Sequence, residues 1–286
     1  MHKRWHKKSF SQWLQALILW PVLLACGAFA EESSDTRLQP KVYVTAWGLT
    51  LESDGSGFYN ELGHFILKDT TADYDIEPYR RAVRRFLKDG ESCLYPKNIE
   101  ALLHTRDIRT TDGLIESLPV IRSIVALFTP EGAPLVRGPN DLAGKRVAYA
   151  LGAKVPEYLG ADGAFFIAVS NEVDKARMLL NNRVDVMIAN LPDARLVYRH
   201  LDSGLPPYDP MYHPFPSAKI RLVCHDTPIN RTFMEQVNKN LLSLHENGGL
   251  AAFLEKHDLN APLFLDDILA DEPAVSTTAS APTSQQ

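Results

Sequence analysis

Cysteine is scarce in this chain. Its 286 residues hold three, Cys26, Cys93 and Cys224, with no C-x-x-C pair. That count excludes a disulfide scaffold, and that spacing excludes a zinc ribbon or a thioredoxin-like redox motif. Surplus positive charge is missing too: 30 Lys+Arg stand against 35 Asp+Glu, a formal net charge of −5. The electrostatic footprint of a nucleic-acid binder is therefore absent, and no nucleic-acid partner is expected. No H-E-x-x-H, G-x-S-x-G, Walker A, EF-hand or G-x-G-x-x-G pattern occurs. The His residues beyond residue 30 are scattered, with no pair three or four residues apart to ligate a metal. No metal and no cofactor is expected. Cys224-His225-Asp226 looks like a nucleophile cluster on paper, but strand alternation turns His225 away from its two neighbours.

What is present describes an exported globular protein. Apolar residues make up 45% of the chain and charged residues 23%, an ordinary globular balance. A chain of this length splits more naturally into two compact units than it enlarges one core. Residues 1–30 hold Lys3, Arg4, Lys7 and Lys8 with no acid, an apolar centre from Trp13 to Ala25, and then Ala28-Phe29-Ala30. A basic start, a short apolar run and an A-x-A site describe a secretory signal peptide cleaved after Ala30. The run falls short of the roughly 20 residues that a membrane span needs. Leu23-Leu24-Ala25-Cys26-Gly27 offers a lipobox, with Cys26 lipidated, as the alternative. In either form the domain is expected in the periplasm. Without residues 1–30 the chain carries 26 basic against 35 acidic side chains, net −9, so any preference for an anion must come from a few local residues.

Residues 31–40 are polar and read as a leader, and 271–286 are Ser/Thr/Ala/Pro-rich and read as a disordered tail. Between them strand-like and helix-like patterns alternate. Lys41-Val42-Tyr43-Val44-Thr45 has the β-branched and aromatic content of a strand. After the turn at Asp54-Gly55-Ser56-Gly57, Phe58 to Leu67 reads as a helix. A second helix follows Pro78, with Tyr79, Ala82, Val83, Phe86 and Leu87 on one stripe. Its Arg80, Arg81, Arg84 and Arg85 are read as a solvated face. Ser92 to Tyr95 is expected to be a short strand stopped by Pro96. The same phrase returns with a helix capped by Asn171, a polar break at Asn181-Asn182, a buried strand from Val184 to Ile188, and Pro192. Two similar α/β units are implied. Ile121–Phe128, the segment after Asp141-Leu142-Ala143-Gly144, and Ile220–Cys224 read as further strands. A long helix from Pro228 to Asn247 and a last one from Leu250 to His257 close the pattern. An oxidising compartment permits a Cys93–Cys224 bond, and the spacing alone leaves it open.

Four motifs carry a resemblance. Gly57-Phe58-Tyr59-Asn60-Glu61-Leu62 stands where a G-F-x-x-D-L would follow a first strand. Asp141-Leu142-Ala143-Gly144-Lys145-Arg146-Val147 matches D-L-x-G-K-x-V. Leu179-Leu180-Asn181-Asn182-Arg183-Val184-Asp185 is close to L-x-x-G-x-V-D, and Asn247-Gly248-Gly249-Leu250 with Phe253, Lys256 and His257 to D-G-T-L-x-x-I-x-x-K-W/Y. In this order and spacing the chain resembles a divergent bacterial extracellular solute-binding protein of family 3, over about residues 41–260. The resemblance implies an α/β, two-lobe periplasmic-binding-protein type II fold with two hinge strands, near 127–131 and 215–220. Lobe 1 would comprise 41–128 plus 218–267, and lobe 2 would comprise 129–217.

The implied activity is capture of a small polar solute between lobes by hinge closure, for ABC-type import. The expected partners are that solute and an ABC permease or a membrane sensor, and the chain is expected to be a monomer. Arg109, with Arg106 as its rival, stands in the place of the guanidinium that clamps a carboxylate in amino-acid-binding members. Trp47 stands in the place of the stacking aromatic. His104 replaces a hydroxyl residue upstream of the arginine, Ala153 beside Lys154 replaces a Ser/Thr in lobe 2, and Asn190 replaces the acid that meets an α-amino group. A neutral Asn cannot offset a buried ammonium, so Lys154 and Asn190 suit a carboxylate or a neutral polar solute. No catalytic residue is expected. The alternatives are a sensing receptor of the same fold or a dehydratase-like enzyme, for which only His104, Glu61 and Asp193 are available by position.

Overall fold

A computed structural model describes residues 39–151 and 153–272. The expected signal peptide, the lipobox at Cys26 and residues 273–286 lie outside the described residues. Asp271 and Glu272, by contrast, belong to the fold. Glu272 accepts from Lys219 Nζ at 2.9 Å and from Arg221 Nη2 at 2.5 Å, so an ion pair, absent from a purely compositional reading, holds the start of the expected tail.

The elements follow one another as β1 (Lys41–Ala46), α1 (Phe58–Ile66), β2 (Asp73–Pro78), α2 (Tyr79–Lys88), β3 (Ser92–Lys97), α3 (Ile99–His104), β4 (Leu114–Glu116) and β5 (Ile121–Phe128). After a 3₁₀ turn at Pro139–Leu142 come β6 (Arg146–Ala150), α4 (Val155–Leu159), β7 (Phe165–Val169), α5 (Glu172–Leu180), β8 (Val186–Leu191) and α6 (Asp193–His200). β9 (Ala218–His225), α7 (Pro228–Glu246), α8 (Gly249–Lys256) and α9 (Ala261–Leu265) complete the described chain.

The strands lie in the order β2-β1-β3-β9-β5-β8-β6-β7, with β4 added on β9. β1 runs parallel to both β2 and β3, and β6 runs parallel to both β7 and β8. These two parallel blocks are the repeated α/β units, and two antiparallel strands join them. β9 pairs with β3 through Cys93↔Cys224 and with β5 through Ile121↔Ile220. β5 changes partner within its length: Ile121–Ser123 face β9, and Ile124–Phe128 face β8. Both blocks carry helices on their faces, as parallel strands require. Val42, Tyr43, Val44 and Thr45 of β1 are accordingly all buried. One continuous apolar core links β1, α1, β8 and α6 through Val44, Phe58, Leu191 and Val197.

Local chemistry sets the element ends. Asn171 Oδ1 accepts the amide N–H groups of Val173 and Asp174 at 2.8 and 3.1 Å and starts α5. In α2 the face Ala82, Val83 and Phe86 is buried while Arg80, Arg81 and Arg84 are exposed. Arg85 is the exception to the solvated face, pairing with Asp75 at 3.2 Å and with Glu77. Asp185 bonds the guanidinium and amide of Arg146, and those bonds hold its carboxyl down at about 2.

Two readings need correction. Pro96 does not stop its strand: β3 continues to Lys97, and the register with β9 shifts between Leu94 and Lys97. A residue without an N–H is tolerated at such an irregularity because no ladder bond is asked of it. The strand expected over 184–188 runs from Val186 to Leu191, which places Asn190 inside β8. The edge strands β2, β4 and β7 and the short helices α3, α4, α6 and α9 carry too little periodicity to be read from sequence. Cys93 and Cys224 are bonded, with Cα atoms 4.0 Å apart across β3 and β9.

Candidate functional site

The carboxyl ends of the parallel strands converge. Trp47 follows β1 directly, and Asp193 opens α6 just beyond β8; the Trp47 indole N–H reaches Asp193 Oδ1 at 3.3 Å. The segments after β3 and β6 meet as well. The phenol of Tyr158 on α4 donates to the His104 carbonyl at 3.3 Å, and the two rings lie 4.2 Å apart between centroids. Two contacts thus bring four strand ends from the two parallel blocks to one side of the sheet. This is where open α/β sheets bind ligands.

At the first contact a buried carboxylate organises the loop between β1 and α1. Asp193 is 5% exposed. Its Oδ1 accepts from the Thr50 hydroxyl at 2.5 Å and its Oδ2 from the Tyr59 phenol at 3.0 Å. The Trp47 indole N–H also donates to Thr50 Oγ1 at 2.8 Å, and its ring meets Tyr59 edge-on at 5.1 Å. Burial pushes the Asp193 carboxyl from the ordinary 3.8 to about 6, with Glu172 pushing the same way, while the bonds from Thr50, Tyr59 and Trp47 pull back. Burial and the Asp193 charge together hold the Tyr59 phenol far above its ordinary range. The loop reaches this shape through Gly57. Its φ is +99°, and a Cβ there would lie 2.8 Å from the Leu49 carbonyl oxygen and the Thr50 carbonyl carbon.

The five residues expected from sequence fall into separate places. Trp47 is half-buried and fixed by the bonds above. Asn190 is exposed on β8, opposite Val125 of β5 and three residues before Asp193. Lys154, half-buried, is the N-terminal cap residue of α4, the helix that carries Tyr158 to His104. His104 is exposed at the end of α3. Arg109 is exposed in the turn after α3, and among the described residues no hydrogen bond ties it to the other four. Its rival Arg106 is exposed with a left-handed φ of 59°.

Sequence reasoning missed the roles of Thr50, Tyr59 and Tyr158, and gave Asp193 only as an acid for the enzyme alternative. Asp193 does carry a usable signal, an acid in the first turn of a helix that starts after a proline. Two cavities open nearby, the first of them against Thr50 of this constellation. One of about 320 Å³ is lined by Thr50, Glu61, Arg199 and His257, and one of about 610 Å³ by Arg122, Ile124 and Phe215 where β5 and β9 meet. None of the five expected residues lines either. No group of His, Cys, Asp and Glu among the described residues could hold a metal ion, and no described helix is long and apolar enough to cross a membrane.

No protein-family model matches the chain, and no curated protein matches it by sequence. Solved structures do resemble it. The GluR0 ligand-binding core from Nostoc punctiforme, in complex with L-glutamate, aligns at a TM-score of 0.58 and 16% identity, covering 76% of this chain and 98% of its own. The substrate-binding protein of an amino acid ABC transporter aligns at 0.55 and 13% identity, covering 76% and 97%. A histidine kinase sensor domain with similarity to periplasmic binding proteins aligns at 0.57 and 14% identity, covering 77% and 95%. The likeness establishes the fold: this chain has the two-lobe α/β fold of the periplasmic solute-binding proteins.

Proposed function

We propose that the protein belongs among the divergent solute-binding proteins of family 3 and captures a small polar solute between its two lobes, without catalysing a reaction. The meeting of segments from the two parallel blocks, Trp47 after β1 with Asp193 after β8 and His104 after β3 with Tyr158 after β6, supports this reading. Lobe 1 is residues 41–128 plus 218–267 and lobe 2 is residues 129–217, with β5 and β9 as the connecting strands. Arg109 and Lys154 supply positive charge near the cleft, Asn190 supplies a neutral donor and acceptor, and Trp47 supplies a stacking face. The solute is therefore a carboxylate or a neutral polar molecule. After export by the residue 1–30 signal, the domain works in the periplasm as a monomer and hands its solute to an ABC permease. The likeness to a histidine kinase sensor domain supports a second reading, in which the closed state is read by a membrane sensor.

Native mass spectrometry of the freshly purified protein, followed by thermal shift with the common amino acids and with mono- and dicarboxylates, tests the proposal. A captured solute supplied at about 100 times its Kd stabilises the fold by about 2.7 kcal/mol. Arg109→Ala is expected to abolish the shift given by a carboxylate. Absence of any bound mass and of any shift across the panel refutes solute capture.

A further inference from the structure

Three donors from one loop and helix converge on a single buried acid. Trp47, Thr50 and Tyr59 lie 134 to 146 residues from Asp193 in the chain, yet all three bond to its two carboxylate oxygens. Each oxygen already accepts from at least one of them, and the acid is only 5% exposed. Its bonds end on the one indole that the proposed site contains. We propose that Asp193 is the positioning residue for Trp47: the carboxylate fixes the indole directly and through Thr50, and a proton taken up on the oxygen that Thr50 and Trp47 share loosens it. The inference rests on the solute-capture reading, in which Trp47 offers the stacking face.

The chemistry runs one way. An ionised carboxylate only accepts, and it satisfies three donors at once. A protonated carboxyl must itself donate, so one of the three bonds is lost or reversed. The Thr50 hydroxyl and Tyr59 phenol can turn to accept, but the indole N–H can only donate. Only a proton on Oδ1, the oxygen that Thr50 and Trp47 share, bears on the indole: it is donated to the Thr50 oxygen, and the bond from Trp47 to that same Oδ1, already the longest of the three at 3.3 Å, weakens, whereas a proton on Oδ2 would reverse the Tyr59 bond alone. Few other charges face the acid. Tyr59 comes from α1, and Glu172 from α5, where it is paired with Lys175 at 2.7 Å. β8 contributes no titratable side chain, and Arg195, Arg199 and His200 of α6 are exposed. On the loop itself, Glu52 is part-exposed and Asp54 is exposed and bonded to Ser56.

Trp47 reports on itself. The other tryptophans are Trp5, Trp13 and Trp20, so in the full chain carrying Trp5→Phe, Trp13→Phe and Trp20→Phe it is the only indole. Fluorescence emission and acrylamide quenching are then followed from pH 8 to pH 4.5 with no solute present. The expected result is a single transition near pH 6, with quenching greater on the acid side, and its loss in Asp193→Asn. Thr50→Val removes one donor to the ionised form and is expected to raise the midpoint. A flat wild-type profile, or a transition that survives Asp193→Asn, overturns the proposal. Should Asp193→Asn fail to fold, the Thr50→Val midpoint decides: raised supports the proposal, unchanged overturns it. Because no solute enters the experiment, its failure leaves solute capture standing, and a blank solute panel leaves the indole titration standing.

Discussion

Replacing Asp193 by Asn should stabilise the protein at neutral pH, and the structure sets the size of the effect. The carboxyl is buried, and burial lifts it from 3.8 to about 6. At about 1.4 kcal/mol for each tenfold in proton affinity, that gap corresponds to about 3 kcal/mol by which the fold penalises the ionised form. Between pH 4 and pH 6 the folded protein binds a proton that the unfolded chain has released, so wild-type stability falls as pH rises through this window and levels off above it. Asn has no such dependence. It keeps one acceptor oxygen for Trp47 and Thr50 and presents its amide to the Tyr59 oxygen, which can accept. Urea unfolding followed by far-UV circular dichroism at pH 4, 5, 6 and 7 gives both stabilities. All other titrating groups are common to the two proteins and cancel. The difference should move in favour of the variant by about 2.4 kcal/mol from pH 4 to pH 7, about 5–10 °C in Tm for a domain of this size. A difference that stays level across the range refutes the reasoning. One that moves against the variant shows that the three donors outweigh burial.

Other outcomes follow from single features. Cys93→Ala with Cys224→Ala opens a bridge across 131 residues; the chain-entropy relation gives a loss of about 5 kcal/mol, measurable as a drop in urea midpoint that dithiothreitol reproduces in the wild type. Gly57→Ala forces a left-handed φ and a 2.8 Å contact with the Leu49 carbonyl oxygen, and should lower stability by about 1–3 kcal/mol while shifting Trp47 emission, since Thr50 must move. Asn190→Asp adds an exposed carboxylate on β8 and should create a thermal shift with at least one common α-amino acid that leaves the wild type unmoved. An unchanged amino-acid panel for that variant removes Asn190 from the site.

The sequence carried the fold where one residue pattern decided one element. β1 reads as a strand because Val42, Tyr43, Val44 and Thr45 are buried together, and α5 starts at Asn171 because a single side chain caps two amides. The repeated helix, turn, strand and proline became two parallel blocks. What stayed hidden depends on partners distant in the chain. β2 is acidic and sits on an edge, so its pairing with β1 leaves no periodic mark. The Cys93–Cys224 bond follows from a cross-strand register that the spacing cannot supply. The site divides the same way. The positions of Trp47 just after β1 and of Asn190 near the end of β8 follow from the strand pattern, but the contacts that orient Trp47 come from Thr50, Tyr59 and Asp193, brought together only when the ends of β1 and β8 meet. Arg109 remained an exposed loop residue, and its place in a motif says nothing of what it reaches.

Under the solute-capture proposal, Asp193 bears on which solute could be held. Where the resemblance leads one to expect a carboxylate for an α-amino group, Asn190 is neutral and exposed, and the nearest acid along the chain is Asp193. Asp193 cannot take over that task, because it is 5% exposed and its oxygens already accept from Thr50, Tyr59 and Trp47. Turning it toward a solute would leave the buried Thr50 and Tyr59 hydroxyls without their acceptor, at about 1–3 kcal/mol each, against the modest return from one ammonium. Its negative charge is therefore committed to the shape of the loop rather than to recognition. Beyond residue 30 the chain is net −9, so the surface field does not draw an anion inward either. Under the proposed solute capture, discrimination would fall to short-range groups, of which Arg109, Lys154, Asn190 and Trp47 are the candidates. In that proposed site a zwitterionic amino acid would present its ammonium to none of the four that can neutralise it, whereas a carboxylate would meet a cation and an uncharged polar solute would need none.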